Sequence, residues 1–274
     1  MSRGLSWQVK ELGLAWRIAR RQRECEEAVG KGGYVMNSKI DWLRLVGIVA
    51  MAVMLMAGSV GVVRANDADN ARHLVDKATW TLNSFDRAKD MSAFRDLLKD
   101  AKGVFIAPQI LKGAFIWGAS GGSGVFMVRD AATGKWSQPA FYTIGSASFG
   151  LQIGGQASEV VLLAMTDRGV AALLSDSVKL GADVGVAAGP VGIGASAATA
   201  NLSADILSFA RSKGLFAGIA LDGAIVKVRD GLNHAYYGAN VSPTDILIRR
   251  TVANRHSGRL IWALRMDAAK GAKG

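Results

Sequence analysis

Residues 101–130 read AKGVFIAPQILKGAFIWGASGGSGVFMVRD, and this apolar stretch decides the fold. It is rich in β-branched and aromatic side chains, and glycine interrupts it every few residues. Each run between glycines is long enough for a strand and too short for a helix. Glycine at such breaks permits a positive φ in a turn or a close approach of two backbones. The stretch therefore predicts consecutive strands at the centre of a sheet, with cations only near the ends of the runs, at Lys102, Lys112 and Arg129.

The composition of the chain permits a large core and favours an anionic partner. Half of the 274 residues are apolar, and 33 basic against 22 acidic side chains give a net charge of +11. Such a balance suits nucleic acid, anionic lipid or an acidic protein, and it is equally typical of a generic basic surface. The single cysteine, Cys25, excludes an intrachain disulfide and a cysteine metal site. The three histidines show no ligand spacing, so we expect no metal and no cofactor.

The N-terminal 65 residues carry the pattern of export. Residues 1–35 form a basic extension, which either contains a membrane-surface helix or precedes a second start at Met36 and is absent from the mature protein. Residues 36–65 read as a signal, because positive charge precedes 19 uncharged residues at 45–63. Small residues suit cleavage after Ala65, whereas the length of the apolar run suits an uncleaved membrane anchor. In both cases we expect an exported protein of the periplasm or cell envelope.

Helix and strand patterns alternate through the remaining chain. Apolar residues recur at three- and four-residue steps in Asp67–Arg87 and Ser92–Asp100, which predicts two helices. We expect both to cover the sheet; the alternative is that the first meets a membrane surface. A third, short helix is predicted at Asp167–Leu174 with Thr166 as its N-cap, and Ser242 begins a fourth. Strands are predicted at Pro139–Phe149, Glu159–Thr166, Asp205–Ala210, Leu215–Leu221 and Ala224–Arg229.

Two further features of the sequence leave alternatives open. The Gly/Ala/Val-rich segment 181–200 suits either tightly packed strands or a flexible lid. A faint internal repeat aligns Lys102 with Lys213 and Arg129 with Arg229, although chance similarity between strand–turn–strand units explains it equally well.

The clearest catalytic motif is Gly118-Ala119-Ser120-Gly121-Gly122, which matches G-x-S-x-G. This nucleophile elbow requires a strained turn from a strand into a helix. The residues after it resemble a strand instead, so we interpret Ser120 as a turn residue and a serine hydrolase as the least favoured function. Aromatic residues that could stack on bases fall in strand-like apolar runs and are expected in the core, which argues against nucleic acid. They are Trp117, Phe126, Trp136, Phe141 and Tyr142.

A set of short motifs, taken in order, resembles the SYLF lipid-binding domain family. The motifs are Ala101-Lys102-Gly103, Pro108, Gly121-Gly122-Ser123-Gly124, Trp136-Ser137-x-Pro139, Gly150-x-Gln152-x-Gly154, Gly189-Pro190, Ser212-Lys213-Gly214-Leu215, Tyr237-Gly238 and Asp245-Ile246-Leu247. The resemblance covers about 66–248 and leaves 249–274 as a basic C-terminal tail. It implies phospholipid binding, with phosphoinositides as ligands and actin as a partner in eukaryotic members. The export signal resembles that of bacterial envelope members, so anionic bacterial phospholipid would be the natural substitute for phosphoinositides.

These observations predict an α+β fold and a binding function. The core should be a mostly antiparallel, glycine-rich β-sheet, as two packed sheets or a partly closed barrel, covered by the N-terminal helices. We expect non-enzymatic binding of anionic phospholipid at an envelope membrane surface, and no nucleic acid. The alternative is a structural or protein-interaction module of the envelope. By resemblance and repeat logic, the candidate lipid-binding residues are Lys102, Lys112, Arg129, Lys213, Lys227 and Arg229.

Overall fold

Residues 101–130 form the two central strands of a single nine-stranded sheet in the computed structural model of the protein. The structure describes residues 67–114, 117–149, 154–192, 203–219 and 221–270. These residues belong to one unit that spans Arg64–Gly274. The basic extension and the predicted signal or anchor lie outside the described residues.

The strands pair almost entirely in the antiparallel sense. They are β1 (Gly103–Ala114), β2 (Trp117–Val128), β3 (Ala140–Phe149), β4 (Gly154–Ala164), β5 (Ser177–Lys179), β6 (Val186–Ala188), β7 (Ile206–Ser212), β8 (Leu215–Gly218) and β9 (Ile225–Val228). Their order across the sheet is β5-β9-β3-β2-β1-β4-β7-β6, and β8 pairs with β7. Only β6 and β7 are parallel among the described pairs. The sheet curls into a half-barrel, which confirms the α+β prediction in its partly closed barrel form.

Five α-helices accompany the sheet in the described residues. They are α1 (Asp67–Arg87), α2 (Ser92–Asp100), α3 (Asp167–Leu174), α4 (Asp230–Tyr237) and α5 (Gly258–Lys270). Short 3₁₀ turns lie at Lys89–Met91 and Arg255–Ser257, and a π-helical turn lies at Asp245–Arg249. The bounds of α1, α2 and α3 confirm the predictions from periodicity. None of the helices in the described part of the chain has the length and apolar composition that crossing a bilayer requires.

Local side-chain caps fix two of the predicted helix starts. The Thr166 hydroxyl accepts a hydrogen bond from the Gly169 amide at 3.0 Å, as expected of an N-cap. Ser242 and Asp245 form a reciprocal cap, in which each side chain accepts from the other residue's backbone amide. The turn that follows Ser242 is a five-residue π-helix instead of a longer α-helix.

The glycines of the central stretch lie within long strands, not at the ends of short ones. Both β1 and β2 have 12 residues, and β2 runs through Gly121, Gly122 and Gly124. A β-bulge in β1, between Ile106 and Gln109, brings the two backbones close together. A Cβ on Gly122 would overlap the Gln109 carbonyl, and a Cβ on Gly124 would lie 2.8 Å from the Ile106 carbonyl oxygen. The close-approach alternative for these glycines is therefore confirmed, whereas the division of the stretch into short runs at these residues was wrong.

Both faces of the sheet are buried, and they carry different cores. Helices α1, α2, α4 and α5 cover one face, which we call the helical face; its core includes Phe94, Phe141 and Phe209. The opposite face, which we call the concave face, includes Phe105 and Tyr142 and is covered partly by α3 and the π-helical turn. Four of the five aromatic residues expected in the core are buried, namely Phe126, Trp136, Phe141 and Tyr142. The side chain of Trp117 lies outside the described residues.

Helix α5 belongs to the core of the helical face, although the sequence marks this segment only as a basic tail. Leu260 and Leu264 are fully buried, and Ala263 is nearly so. These three residues lie at helical spacing between arginines, and the arginines conceal the apolar stripe in the sequence. Segment 181–200 contributes the parallel strand β6, which supports the packed-strand alternative for its first half; residues 193–200 lie outside the described residues.

Replacing Gly122 by alanine should destabilise the fold, because its Cβ has no space beside the β1 bulge. We expect Gly122→Ala to lower the free energy of unfolding by about 2 kcal/mol or more, as overpacking against backbone does. Urea unfolding followed by circular dichroism measures this change. Gly121→Ala is the matched control, because its Cβ would lie 3.8 Å from the nearest atom. Equal stability of the two variants would contradict the close-approach account.

Truncating Leu264 should destabilise the protein to the extent expected of a core leucine. We expect Leu264→Ala to lower the free energy of unfolding by about 2–5 kcal/mol, since the side chain is fully buried. In the same helix, Trp262 is 61% exposed, so Trp262→Ala should cost about 0.5 kcal/mol or less. If Leu264→Ala unfolds at the same urea concentration as the parent, α5 does not belong to the core.

Candidate functional site

The two ends of the sheet differ in how their cations are used. We call the end at which β1 begins the Lys102 end, and the end at which β1 finishes the Lys112 end. The ten residue steps from Lys102 to Lys112 separate them by about 30 Å along the strand. The six predicted site residues therefore cannot form one cluster.

At the Lys102 end, carboxylates and carbonyls neutralise or hold Lys102, Arg129 and Arg250. Lys102 Nζ lies 2.6 Å from the Asp167 carboxylate, and Arg250 Nη2 lies 3.6 Å from that of Asp130. Hydrogen bonds from the backbone amide and hydroxyl of Thr133 hold the pKa of Asp130 below its ordinary value, and Arg250 adds to this effect. A cavity of about 460 Å³ at this end is lined by both signs of charge.

Arg129, also at the Lys102 end, serves the structure of a turn. Its guanidinium donates to the carbonyl oxygens of Lys99 and Gly134. Half-buried and engaged in this way, Arg129 holds the end of α2 against the β2–β3 turn. It is poorly placed to meet an external anion.

At the Lys112 end, three lysines make no ion pair with any described residue. Lys112 lies near the end of β1, Lys213 lies in the β7–β8 turn, and Lys77 projects from α1. Helix α1 crosses the helical face at this end, where Lys77 and Lys213 line the same cavity, whereas Lys112 lines a cavity of the concave face. The ammonium groups are therefore available to an anion from outside the domain.

Exposed apolar side chains lie among these lysines. Trp80 on α1 is 77% exposed, Leu111 on β1 is 57% exposed, and Leu215 on β8 is 76% exposed. Trp80 lines the same cavity as Lys77 and Lys213, whereas Leu215 lines the same cavity as Lys112. Large apolar residues in this combination with cations are unusual on a surface that meets only water.

Two cavities of the helical face open at the Lys112 end. The larger, of about 600 Å³, lies between α1 and the ends of β4 and β7, and it contains the Arg211–Glu159 ion pair at 2.6 Å. The other, of about 460 Å³, is lined by His73, Lys77 and Arg229, whose guanidinium donates to the Ser123 hydroxyl at 2.7 Å.

A third cavity, of about 470 Å³, occupies the concave face at the same end. Its sides are residues of β1, β2, β3, β4, β7 and β8 together with Ile219, Leu221 and Ala224. Because β3 and β7 are separated by three strands in the sheet, they can line one cavity only where the sheet curls. Ile110, Ile144 and Val160 belong both to the concave core and to the cavity lining, and Lys112 is the one charged group among the described lining residues.

The electrostatic balance at the Lys112 end is positive. Among the described residues that line these three cavities, the only acid is Glu159, and it is paired with Arg211. The cations are Lys77, Lys112, Arg211, Lys213 and Arg229. Deeper in the concave core, burial raises the pKa of the Tyr142 phenol above its ordinary value, so this group stays neutral.

The structure thus brings together only part of the predicted set. Lys112, Lys213 and Arg229 lie at or face the Lys112 end, whereas Lys102 and Arg129 lie at the other end. Lys227 is exposed on β9, opposite Thr143 of β3, and lines none of the four cavities described here.

The internal repeat does not correspond to equivalent positions. Lys213 has φ 51° and Gly214 has φ 80°, and together they form the tight turn between β7 and β8. Lys102 instead precedes β1 and is not among the residues with positive φ, so the two lysines occupy different local structures.

Ser120 has no catalytic surroundings. It lies inside β2 and not in a turn, and its hydroxyl is 2.8 Å from the hydroxyl of Ser146 on β3. A serine in a strand that continues for eight residues cannot form a strand-to-helix elbow. Across the described residues no cluster of histidine, cysteine or carboxylate side chains could hold a metal ion.

Sequence reasoning missed Lys77, Trp80, Leu111 and Leu215 as members of this surface. One signal was present for Trp80, because it departs from the apolar stripe of α1 that includes Val75, Ala78 and Leu82. A tryptophan outside the buried stripe of an amphipathic helix is a candidate for contact with another molecule.

Comparison with known proteins identifies the domain. Residues 145–266 match the Ysc84 family model, which is described as "Las17-binding protein actin regulator". This range includes most of α5 and therefore extends beyond the predicted boundary at residue 248.

Curated relatives share about a third of the aligned residues. LAS seventeen-binding protein 3 of Saccharomyces cerevisiae is 35% identical over 159 residues, which cover 57% of this chain and 34% of the relative. SH3 domain-containing YSC84-like protein 1 of Homo sapiens is 33% identical over 157 residues, which cover 57% of this chain and 45% of the relative. The chain thus spans less than half the length of these relatives. The resemblance to the Ysc84, or SYLF, family that the sequence motifs indicate is therefore confirmed for the matched part of the chain.

Proposed function

We propose that this protein binds anionic phospholipid at a membrane surface through the Lys112 end of its sheet, and that it catalyses no reaction. The observation that carries the proposal is that one end of the sheet carries three lysines without ion partners among the described residues, together with three exposed apolar side chains. The lysines are Lys77, Lys112 and Lys213, and the apolar residues are Trp80, Leu111 and Leu215.

The two kinds of side chain contribute different parts of the binding free energy. Each lysine near an anionic leaflet contributes about 1 kcal/mol, and this attraction falls with salt within a Debye length. The apolar side chains enter the boundary between headgroups and acyl chains, where a tryptophan ring is also favourable. Lys77 and Trp80 lie one turn apart on α1, so one helix presents both kinds of group together.

The sequence offered the alternative that the first helix meets a membrane surface. In this proposal, only the exposed side of α1 does so. Helix α1 covers the sheet with buried Ala71, Val75 and Leu82, which makes it a structural helix. Its exposed side supplies Lys77 and Trp80 at the proposed membrane surface. The same helix thus packs on the sheet through its buried side and contacts the membrane through its exposed side.

We further infer an envelope location from the sequence alone. The basic, apolar and small-residue pattern of residues 36–65 supports export, either with cleavage after Ala65 or with 45–63 retained as an anchor. An anchored domain would act at high local concentration beside its own membrane, so modest affinity at the Lys112 end would suffice.

A protein partner is the second candidate function. The relatives include a LAS seventeen-binding protein, and the family is described as an actin regulator. The surface of α5 could serve such a role, because Trp262 and Met266 are exposed beside Arg259 and Arg265. In the cell envelope, a different protein would take the place of the partners named for the eukaryotic relatives. This function predicts binding that is indifferent to lipid and little affected by salt.

Charge reversal at the Lys112 end should weaken binding to anionic vesicles. For the double substitution Lys77→Glu and Lys213→Glu, we expect an affinity loss of about tenfold or more at low salt, because two attractions become repulsions. Co-sedimentation with phosphatidylglycerol–phosphatidylcholine vesicles, at low and high salt, measures it. The full chain is used throughout, so any contribution from 45–63 is common to every variant.

Lys135→Glu together with Lys102→Glu provides the matched control, with the same change in net charge at the opposite end of the sheet. The control should lose less than about a third as much vesicle affinity as the Lys77 and Lys213 double substitution, because salt screens attraction over long distances. Equal losses for the two pairs would show that net charge alone governs binding. Binding equal to neutral and anionic vesicles would contradict the proposal and favour the protein-partner function.

A further inference from the structure

We propose that the cavity in the concave face holds one acyl chain of an anionic phospholipid, with the headgroup beside Lys112. This inference rests on the proposed function and adds to it a site for a single lipid molecule. The cavity volume of about 470 Å³ falls within the range of small-molecule sites.

The base of the cavity is apolar because it is the surface of the concave core. Ile110, Ile144, Val160, Ala210 and Ala224 are buried core residues that also line the cavity. A hydrocarbon guest would therefore contact side chains that already belong to the packed interior. Each methylene transferred from water into such a site contributes about 0.8 kcal/mol.

The rim of the cavity is polar, and its groups satisfy one another without a guest. The hydroxyls of Ser120 and Ser146 lie 2.8 Å apart, and the Gln156 amide donates to the Ser212 hydroxyl at 2.7 Å. These groups need no polar ligand inside the cavity to complete their hydrogen bonds. An apolar base below a polar rim matches an amphiphile whose chain points inward.

Lys112 gives this amphiphile a charge preference. It is exposed, lines the cavity and makes no ion pair with another described residue. On the neighbouring turn, the Asp222 carboxylate packs against Gly181, and Asp222 does not line the cavity. An anionic headgroup at Lys112 would therefore meet a cation without competition from a lining carboxylate.

The other three cavities do not fit a hydrocarbon chain. The larger cavity beside α1 contains the Arg211–Glu159 pair, and the one at the Lys102 end contains Asp100, Asp130 and Asp167. The remaining cavity of the helical face is lined by Lys77 and Arg229. Burying a chain against such groups would desolvate charge. Only the concave cavity combines an aliphatic base with one cation among its described lining residues.

The mouth of the concave cavity coincides with the proposed membrane surface. Leu215 lines the cavity and is 76% exposed, and Lys112 is exposed beside it. A lipid whose headgroup meets Lys112 could pass its chain across Leu215 without leaving contact with apolar atoms. The cavity remains open there because the nearby residues Ala210 and Ala217, which pair across β7 and β8, are small.

Photo-crosslinking tests the inference in the full chain. The probe is phosphatidylglycerol with a diazirine near the end of one acyl chain, incorporated into phosphatidylcholine vesicles, and mass spectrometry locates the labelled residues. We expect label on Ile110, Ile144 and Val160 inside the cavity. A parallel reaction uses free palmitate that carries the same diazirine.

Filling the cavity should remove this internal label. Ala217→Phe occupies the space from β8, and Ser146→Phe occupies it from β3, so the test survives if one variant fails to fold. We expect labelling of the cavity residues to fall by about tenfold or more, because the new phenylalanine would occupy the space of several methylenes of the acyl chain. Vesicle binding should change little. Ala132→Phe in the exposed β2–β3 turn is the matched control and should label like the parent.

The outcomes separate this inference from the proposed function. Label confined to Trp80, Leu111 and Leu215 would overturn the acyl-chain site and leave surface binding intact. Internal label that persists in both folded filling variants would also overturn it. Internal label from palmitate without any from phosphatidylglycerol would overturn the phospholipid assignment. Absence of both label and vesicle binding would overturn the inference and the proposed function together.

Discussion

The close approach of β2 to the bulge in β1 is the constraint on which the rest of the domain depends. Two 12-residue strands can lie side by side here only because Gly122 and Gly124 present no side chain to the bulged backbone. Bulges increase local twist and curvature, and glycines beside them let the sheet bend. We attribute the curl of the half-barrel to this contact at its centre.

The curvature of the sheet gives its two faces different roles. The helical face packs against α1, α2, α4 and α5 through large aromatic residues and is closed by these helices. The concave face is filled near the Lys102 end but retains a cavity near the Lys112 end, where small residues of β7 and β8 line it. A flat sheet would have presented the same residues as an exposed apolar surface.

The distribution of ion partners then distinguishes the two ends. At the Lys102 end, Asp130 and Asp167 lie close enough to pair with neighbouring cations. At the Lys112 end, the only acid among the described cavity-lining residues is Glu159, which Arg211 occupies. Exposed ion pairs contribute little to stability, so the pairing matters mainly for which cations remain accessible.

The sequence predicted features that depend on local patterns. Helices α1, α2 and α3 were predictable because periodicity and the Thr166 cap act within a few residues. The central position of residues 101–130 was likewise predictable. Strand length was not, because a glycine in a turn and a glycine under a neighbouring backbone look identical in sequence.

Features that depend on distant contacts could not be predicted in this way. Lys102 is paired with Asp167, 65 residues away, and no local pattern indicates that Lys112 lacks such a partner. The sequence analysis therefore predicted the same lipid-binding role for Lys102 and Lys112. The family resemblance indicated the domain, but it contained no information on which end of the sheet gathers free charge and exposed apolar groups.

The central claim is that the Lys112 end faces the membrane, and site-specific fluorescence tests it most directly. An environment-sensitive dye is attached at Leu215→Cys, or at Ala132→Cys at the opposite end, in a chain with Cys25→Ser. On addition of anionic vesicles, the account predicts a blue shift for the dye at position 215 and none at position 132. A shift at position 132 alone, or equal shifts at both positions, would contradict the account.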